Sequence, residues 1–142
     1  MDPHAAHGEI ARKRRLYEER LVASGFSMAG REIPMARLVA VAKTQGEAEA
    51  VARRGARWIL DSYAGPRHAA VLPFGSPVRA LPVDPVERYV SEVIIYGSPA
   101  EVVDKLMVLR EEMRLEYLLC APLSHASFML LAEEVLPRVA AV

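Results

Sequence analysis

The alternation of apolar and polar residues is clearest over 92–112, where it predicts a buried strand, a tight turn and an amphipathic helix. Residues 92–96 are mostly apolar with β-branched members, as in a strand that is covered on both faces. Gly97 permits a sharp turn. Ser98 and Glu101 have the spacing of a capping box, with Pro99 at the first helical position. The apolar residues that follow share one side of the helix: Val102, Val103, Leu106, Leu109 and Met113.

Two more strand-helix pairs flank this unit. Residues 35–42 (MARLVAVA) predict a strand, and Thr44 with Glu47 forms a second capping box at the start of a helix. Residues 115–121 predict a third strand, which Pro122 ends. The helix after Thr44 carries a narrow stripe of small residues, which favours close packing on a sheet: Ala48, Val51, Ala52, Gly55 and Ile59.

The remaining segments are two terminal helices and a long loop. Residues 5–24 predict a helix that has Ile10, Tyr17 and Leu21 on one stripe and Gly25 as its stop. Because prolines and glycines recur after residue 63, we predict a Pro-rich loop over 64–91. A closing helix over 124–141, which Pro137 should kink or end early, has an apolar face composed of Phe128, Leu131, Ala132, Val135 and Leu136.

This order of elements predicts an α/β fold with about three parallel strands. A length of 142 residues suits one domain over 1–142, with a real core. Three strands do not close a barrel, which needs about eight. The fold class is therefore α/β, but the sheet is incomplete as a barrel.

Composition narrows the function classes. The 18 basic and 18 acidic residues balance, so no overall field indicates nucleic acid or a membrane as partner. The basic run at 11–15 has acidic neighbours and is interpreted as a solvated helix face. A lone cysteine, Cys120, permits neither a disulfide framework nor a cysteine metal cluster within one chain. With no apolar run of about 20 residues and no signal peptide, a cytoplasmic protein is expected.

The segment IYGSPAEVVDKLMVLREE, followed by LEYLLCAPLSHASFMLLAEEVLPRV, resembles the C-terminal end of the luciferase-like flavin-dependent monooxygenase family. Residues 97–101 match that family's Gly-Ser/Thr-Pro-Glu turn, and residues 134–137 match its Val-Leu-Pro-like ending. Thr44, Glu47 and Ala48 carry a second likeness. The resemblance implies a partial TIM-type (β/α) barrel, about three parallel strands with alternating helices, equivalent to roughly the last three strands of a longer chain.

The resemblance also implies an activity. A complete barrel of this family would use FMN or a deazaflavin to oxidise a small organic substrate, as a monooxygenase or related oxidoreductase. This chain alone would be incomplete. An alternative is a non-catalytic half-barrel module whose two open sheet edges pair with a second copy, as a homo-oligomer, or with a separately encoded N-terminal half. A truncated reading frame without stable function is a third possibility.

Active sites of such barrels lie at the carboxyl ends of the strands. At two of the three ends, Glu47 and Glu101 place a carboxylate at the helix start, so structural capping is favoured over anion binding. The third end carries no acid before residue 133. Ser124, His125 and Ser127 are therefore the candidate cofactor or substrate contacts. The alternative, in which Ser124 only caps the helix and His125 is a solvent-exposed loop residue, stays open.

Other chemistry-bearing residues have plainer interpretations. Lys43 could face the barrel mouth, and His68 could belong to a lid, but both are interpreted as solvated side chains. Cys120 is expected to be a buried small hydrophobe. His4 and His7 provide too few ligands for a metal site. No catalytic residue and no metal site are predicted.

Overall fold

Six α-helices, one π-helical turn and three strands make up the described part of the chain, which comprises residues 4–63, 84–113 and 117–141 of a computed structural model. None of the helices in these ranges is both long and apolar enough to cross a bilayer. In chain order, the elements are α1 (His7–Ala23), β1 (Met35–Val41), α2 (Gln45–Tyr63), α3 (Pro85–Glu92), β2 (Ile95–Gly97), α4 (Pro99–Met113), β3 (Leu118–Pro122), α5 (His125–Leu130), the π turn (Leu131–Val135) and α6 (Leu136–Ala140).

The three strands form one parallel sheet in the order β2-β1-β3. The predicted α/β class with about three parallel strands is confirmed. The first strand in sequence is therefore the middle strand of the sheet. Here α4 packs on the sheet face opposite to α2, so the chain crosses β1 and adds β3 on the far side of β1.

Side chains alternate between the two faces of β1. One side, the aliphatic face, begins with Met35, Val39 and Val41 and is covered by α1, α4 and the closing helix of α5, the π turn and α6. The other side, the alanine face, packs Ala40 against Ala52 and Ala56 of α2, with α3 beside them. The sheet is therefore the middle of three layers. The predicted stripe of small residues on α2 is confirmed as the side that approaches the sheet.

At the starts of α2 and α4, each predicted capping glutamate reaches back to its N-cap residue, and at α2 the Glu47 N–H also donates to Thr44 Oγ1 at 3.3 Å. Glu47 accepts hydrogen bonds from the N–H (3.1 Å) and the Oγ1–H (3.0 Å) of Thr44. Glu101 accepts bonds from the N–H (2.7 Å) and the Oγ–H (2.6 Å) of Ser98. Gly25 ends α1 with φ +80°, as its position predicted. These contacts are local, since each joins residues within one turn.

The predicted Pro-rich loop over 64–91 needs correction at its C-terminal end. Residues from Pro85 onward form α3, and β2 begins at Ile95 instead of residue 92. The side chain of Asp84 accepts a hydrogen bond from Val86 N–H at 2.9 Å, and Pro85 occupies the first turn. Because proline suits that position, it starts a helix here instead of preventing one. Residues 64–83, which include His68, lie outside the described ranges.

The closing helix buries a narrower stripe than the sequence predicted. Leu131 and Val135 are buried, whereas Phe128 and Leu136 are 51% and 46% exposed. Pro137 does not end the helix, which runs to Ala140. The wide π turn ends at Val135, two residues before Pro137. Because proline has no N–H, Pro137 removes one backbone donor from the helical ladder.

The N-terminal helix shows a similar difference. Ile10 is buried as predicted, but Tyr17 is exposed. Arg14, one turn after Ile10, lies on the inner side instead. The predicted stripe on α1 is therefore right at its start and wrong at Tyr17.

Candidate functional site at the carboxyl end of the sheet

The strand order brings the carboxyl ends of β1 and β3 side by side. Leu123, just after β3, donates a hydrogen bond from its N–H to Val39 O at 2.8 Å. The helix after β1 then covers the alanine face, and the helix after β3 covers the aliphatic face. In open parallel sheets, ligands bind at carboxyl ends where neighbouring connections diverge in this way. We call this place, with Lys43, Thr44, Ser124 and His125, the β1/β3 crevice.

The neighbouring end between β1 and β2 is filled by protein groups. Hydrogen bonds from Ser98 lower the pKa of the Glu101 carboxyl below its ordinary value. The chain also approaches closely there, since a Cβ on Gly97 would lie 2.9 Å from Glu101 Cβ and 3.2 Å from Gln45 Oε1. A bound anion would have to displace or oppose this carboxylate. The structure therefore supports the capping interpretation at this end.

The β1/β3 crevice has a different electrostatic character. No acidic residue occurs in the first turn of α5. Ser124 is the N-cap and accepts a hydrogen bond from Ser127 N–H at 3.0 Å. The imidazole of His125 is exposed and stacks on the ring of Phe128, with 6.4 Å between centroids. Ser124 thus has the capping role of the alternative interpretation, and the exposed side chain of His125 agrees with both interpretations.

Ser127 does not lie at the rim of a pocket, which corrects the prediction for this residue. It is fully buried, and its Oγ–H donates to Val41 O at 2.8 Å while its Oγ accepts from Val41 N–H at 3.1 Å. Ser127 therefore continues the β1–β3 ladder beyond the last residue of β3. One sequence signal indicates its position, because Ser127 precedes the buried Leu131 and Val135 by four and eight residues.

Of the other predicted candidates, Lys43 is exposed after β1, and Cys120 is half-buried, with its thiol pKa raised by burial. Within the described ranges, no group of three or more metal-ligating side chains is present. The ring of His4 is hydrogen-bonded to the hydroxyl of Tyr89. Two surface depressions lie away from the carboxyl end, beside residues 28–32 and beside the second half of α1.

Sequence reasoning missed a buried basic residue on β1. Arg37 is fully buried on the aliphatic face, between the inward side chains of Met35 and Val39. The alternation of the strand indicates this placement, because positions two apart share a face. His7 lies near Arg37, and its pKa is lowered to about 4, chiefly by burial and then by the charge of Arg37.

Comparisons with known proteins bear on the fold. No protein-family model matches the chain. No curated protein matches it in sequence either. Solved structures do match. A riboflavin lyase (RcaE), solved with modified FMN and the substrate riboflavin, superimposes with a TM-score of 0.60 and 21% identity over 96% of this chain and 37% of its own.

Two monooxygenases give similar values. The oxygenating constituent of 3,6-diketocamphane monooxygenase from the CAM plasmid of Pseudomonas putida, in complex with FMN, has a TM-score of 0.60 and 19% identity over 94% of this chain and 41% of its own. Long-chain alkane monooxygenase (LadA) has a TM-score of 0.62 and 16% identity over 92% of this chain and 33% of its own.

The chain thus spans between 33% and 41% of the length of these three structures. At identities of 16–21%, the likeness concerns the fold. The resemblance predicted from the sequence is confirmed at that level, and the chain has the fold of part of a luciferase-like flavin monooxygenase.

Proposed function

We propose that this chain forms part of a flavin-dependent oxidoreductase of the luciferase-like monooxygenase type, which oxidises a small organic substrate. The observation that carries the proposal is the acid-free start of the closing helix at the β1/β3 crevice. It occurs in a fold shared with two enzymes whose structures contain FMN or modified FMN. Parallel α/β sheets bind such ligands at this end.

The residues of the crevice suit the phosphate end of FMN or of a deazaflavin cofactor. Lys43 and His125 are exposed side chains that can carry positive charge, and they follow adjacent strands. The backbone N–H groups of His125 and Ala126, at the start of the helix, are further donors for an anion. A bound flavin would supply the redox chemistry, while these groups would hold and orient it. No residue of the chain is assigned a catalytic role.

The chain spans well under half of the matched flavin enzymes, so a complete active site requires further protein. We propose a complementary barrel half as the source of the surface that would cover the flavin ring and the substrate. A second candidate function is a non-catalytic half-barrel module. The observation in its favour is the outer edge of β3. Within the described ranges no further strand pairs with it, and two residues direct backbone groups away from the sheet.

Titration of the purified chain with FMN and with riboflavin, followed by quenching of flavin fluorescence, tests the flavin proposal. We expect FMN to bind more tightly than riboflavin by roughly tenfold, because only FMN carries a phosphate. Lys43→Ala should remove much of that difference. Lys105→Ala is the matched control, since Lys105 is an exposed lysine at the β2 edge.

Absence of quenching by either flavin would reject flavin binding by this chain and leave the half-barrel module as the better proposal. Equal affinity for FMN and riboflavin would contradict a phosphate site in the crevice. Mass spectrometry of any cofactor that co-purifies with the chain would separate FMN from a deazaflavin.

A further inference from the structure

The outer edge of β3 has backbone groups that are directed away from the sheet. Met35 N–H donates to Tyr117 O at 3.0 Å, and Leu123 N–H donates to Val39 O at 2.8 Å. In a parallel ladder, alternate residues face the same neighbour, so positions 117, 119, 121 and 123 face β1. Leu118 and Cys120 therefore point their N–H and C=O groups outward. Among the described residues, β3 has a pairing strand on the β1 side only.

Exposed apolar side chains lie on β3 and directly before it. Leu119 is 48% exposed and lies on the alanine face, opposite Ala36 in the ladder. Tyr117, directly before β3, is also 48% exposed. Residues 117–123 (YLLCAPL) include no charged side chain. An uncharged strand edge beside exposed apolar side chains readily pairs with another chain.

The opposite edge of the sheet is protected. Strand β2 has only three residues. The ammonium group of Lys105 donates a hydrogen bond to Tyr96 O at 2.6 Å, and its Nζ lies 4.6 Å from the centre of the Tyr96 ring. A short strand and a lysine at the edge are common protections against strand addition. Among the described residues, the β2 edge is thus protected, and the β3 edge has no such protection.

We propose that the β3 edge is the interface between two copies of this chain, which pair through antiparallel β3 strands around a two-fold axis at Leu119. Such an axis sets Leu118 opposite Cys120 of the second copy. In each such pair, the outward N–H of either residue donates to the outward C=O of the other. Leu119 then faces its own symmetry mate, and the apolar side chains become mutually covered.

Pro122 favours this partner over a further parallel strand. In the ladder, position 122 shares the outward orientation of Leu118 and Cys120, but proline has no N–H. A parallel strand that followed β3 to its carboxyl end would lose a hydrogen bond at Pro122. The two-fold pair centred on Leu119 uses only Leu118 and Cys120. The pairing does not depend on flavin binding, and the neutral formal charge of the chain adds no repulsion between copies. A second copy and a complementary barrel half would occupy the same β3 edge, so the dimer is the state expected of this chain by itself.

Sedimentation equilibrium of the full chain tests the proposal. We expect a mass twice the 15.7 kDa of one chain. Leu119→Lys should give a monomer or weaken the dimer by roughly tenfold or more, because two ammonium groups would meet at the axis. Val108→Lys is the matched control, since Val108 is a similarly exposed apolar residue on α4, and this variant should remain dimeric. Circular dichroism verifies that each variant is folded.

A cross-linking experiment locates the axis independently of whether Leu119→Lys folds. In the Cys120→Ser background, Leu119→Cys should form an intermolecular disulfide on mild oxidation, because facing residues in such a pair have close Cβ atoms. A monomeric wild-type chain would overturn the proposal. So would a dimer that survives Leu119→Lys and gives no cross-link at position 119, since its interface would lie elsewhere.

Discussion

The two faces of the sheet are stabilised in different ways. The aliphatic face contains large side chains from β1, α4 and the closing helix, and it also holds the buried Arg37, the half-buried His7 and the buried Ser127. The alanine face brings α2 against the sheet through Ala40, Ala52 and Ala56. Large side chains widen the layer between the sheet and its helices, whereas alanines allow α2 to approach the sheet closely.

This difference suggests which perturbation each face tolerates. On the aliphatic face, the removal of methyl groups leaves a cavity, and protonation of His7 adds positive charge near Arg37. On the alanine face, little can be removed, but added volume has no space. We therefore expect the aliphatic face to be sensitive to truncation and pH, and the alanine face to be sensitive to side-chain enlargement.

The largest expected effect is truncation on the aliphatic face. Leu131 is 3% exposed, so Leu131→Ala should lower the free energy of unfolding by about 2–5 kcal/mol. Leu16→Ala, at a position 43% exposed on α1, is the control and should change it by about 0.5 kcal/mol or less. Urea denaturation followed by circular dichroism measures both. Equal losses would mean that burial does not distinguish these leucines.

Enlargement on the alanine face comes next. Ala52→Leu should lower the free energy of unfolding by about 1–3 kcal/mol, because Ala52 is fully buried against the sheet. Ala50→Leu makes the same chemical change on the exposed side of α2 and should stay within about 0.5 kcal/mol of the wild type. If Ala52→Leu proved neutral in the same denaturation assay, the close approach of α2 to the sheet would be contradicted.

Acid should destabilise the aliphatic face through His7. Its folded pKa of about 4 lies below the ordinary value of 6.5, so its stabilising contribution is complete above pH 6.5 and is lost as the pH falls toward 4. Because His7 is only partly buried, we expect a loss of about 1–2 kcal/mol. Thermal denaturation between pH 7 and pH 4 should show this slope in the wild type and in the His125→Gln control, but not in His7→Leu.

The smallest effect is expected at the contact between α2 and the chain after β3. A Cβ on Gly55 would lie 2.7 Å from Leu123 Cδ1 and 2.9 Å from Leu123 Cδ2. Gly55→Ala gains about 1 kcal/mol of helix propensity, and displacement of the Leu123 side chain offsets it, so the net change should be within about 0.5 kcal/mol.

The Leu123→Ala background tests that balance. Without the leucine, Gly55→Ala should stabilise the fold by about 1 kcal/mol. A double-mutant cycle from urea denaturation gives the coupling between the two sites. Zero coupling would show that Gly55 and Leu123 do not restrict each other.

Features that depend on neighbouring residues in the chain were predictable. The capping contacts of Thr44 with Glu47 and of Ser98 with Glu101 follow from a three-residue spacing, and the buried stripe of α4 follows from helical periodicity. At the candidate site, the same local reasoning identified Ser124 as an N-cap and the start of α5 as free of acid. It was misleading at Pro85, where proline starts a helix.

The role of Ser127 required knowledge of a distant partner. Its Oγ bonds Val41, which lies 86 residues away in sequence. The exposure of Phe128 and Leu136 also depends on distant residues. Helical spacing shows that both adjoin the apolar stripe, but it does not show which side of the helix another element covers. These errors concern long-range packing and not local conformation.

The sequence by itself determined the α/β class, the parallel strands and the starts of α2, α4 and α5, because these depend on periodicity and capping within a few residues. Only the tertiary structure decided that β1 lies between β2 and β3, that the helices cover both faces, and that Ser127 is buried at the end of β1. Those features depend on which distant surfaces pack together, and a local pattern of apolar residues fits several such arrangements equally well.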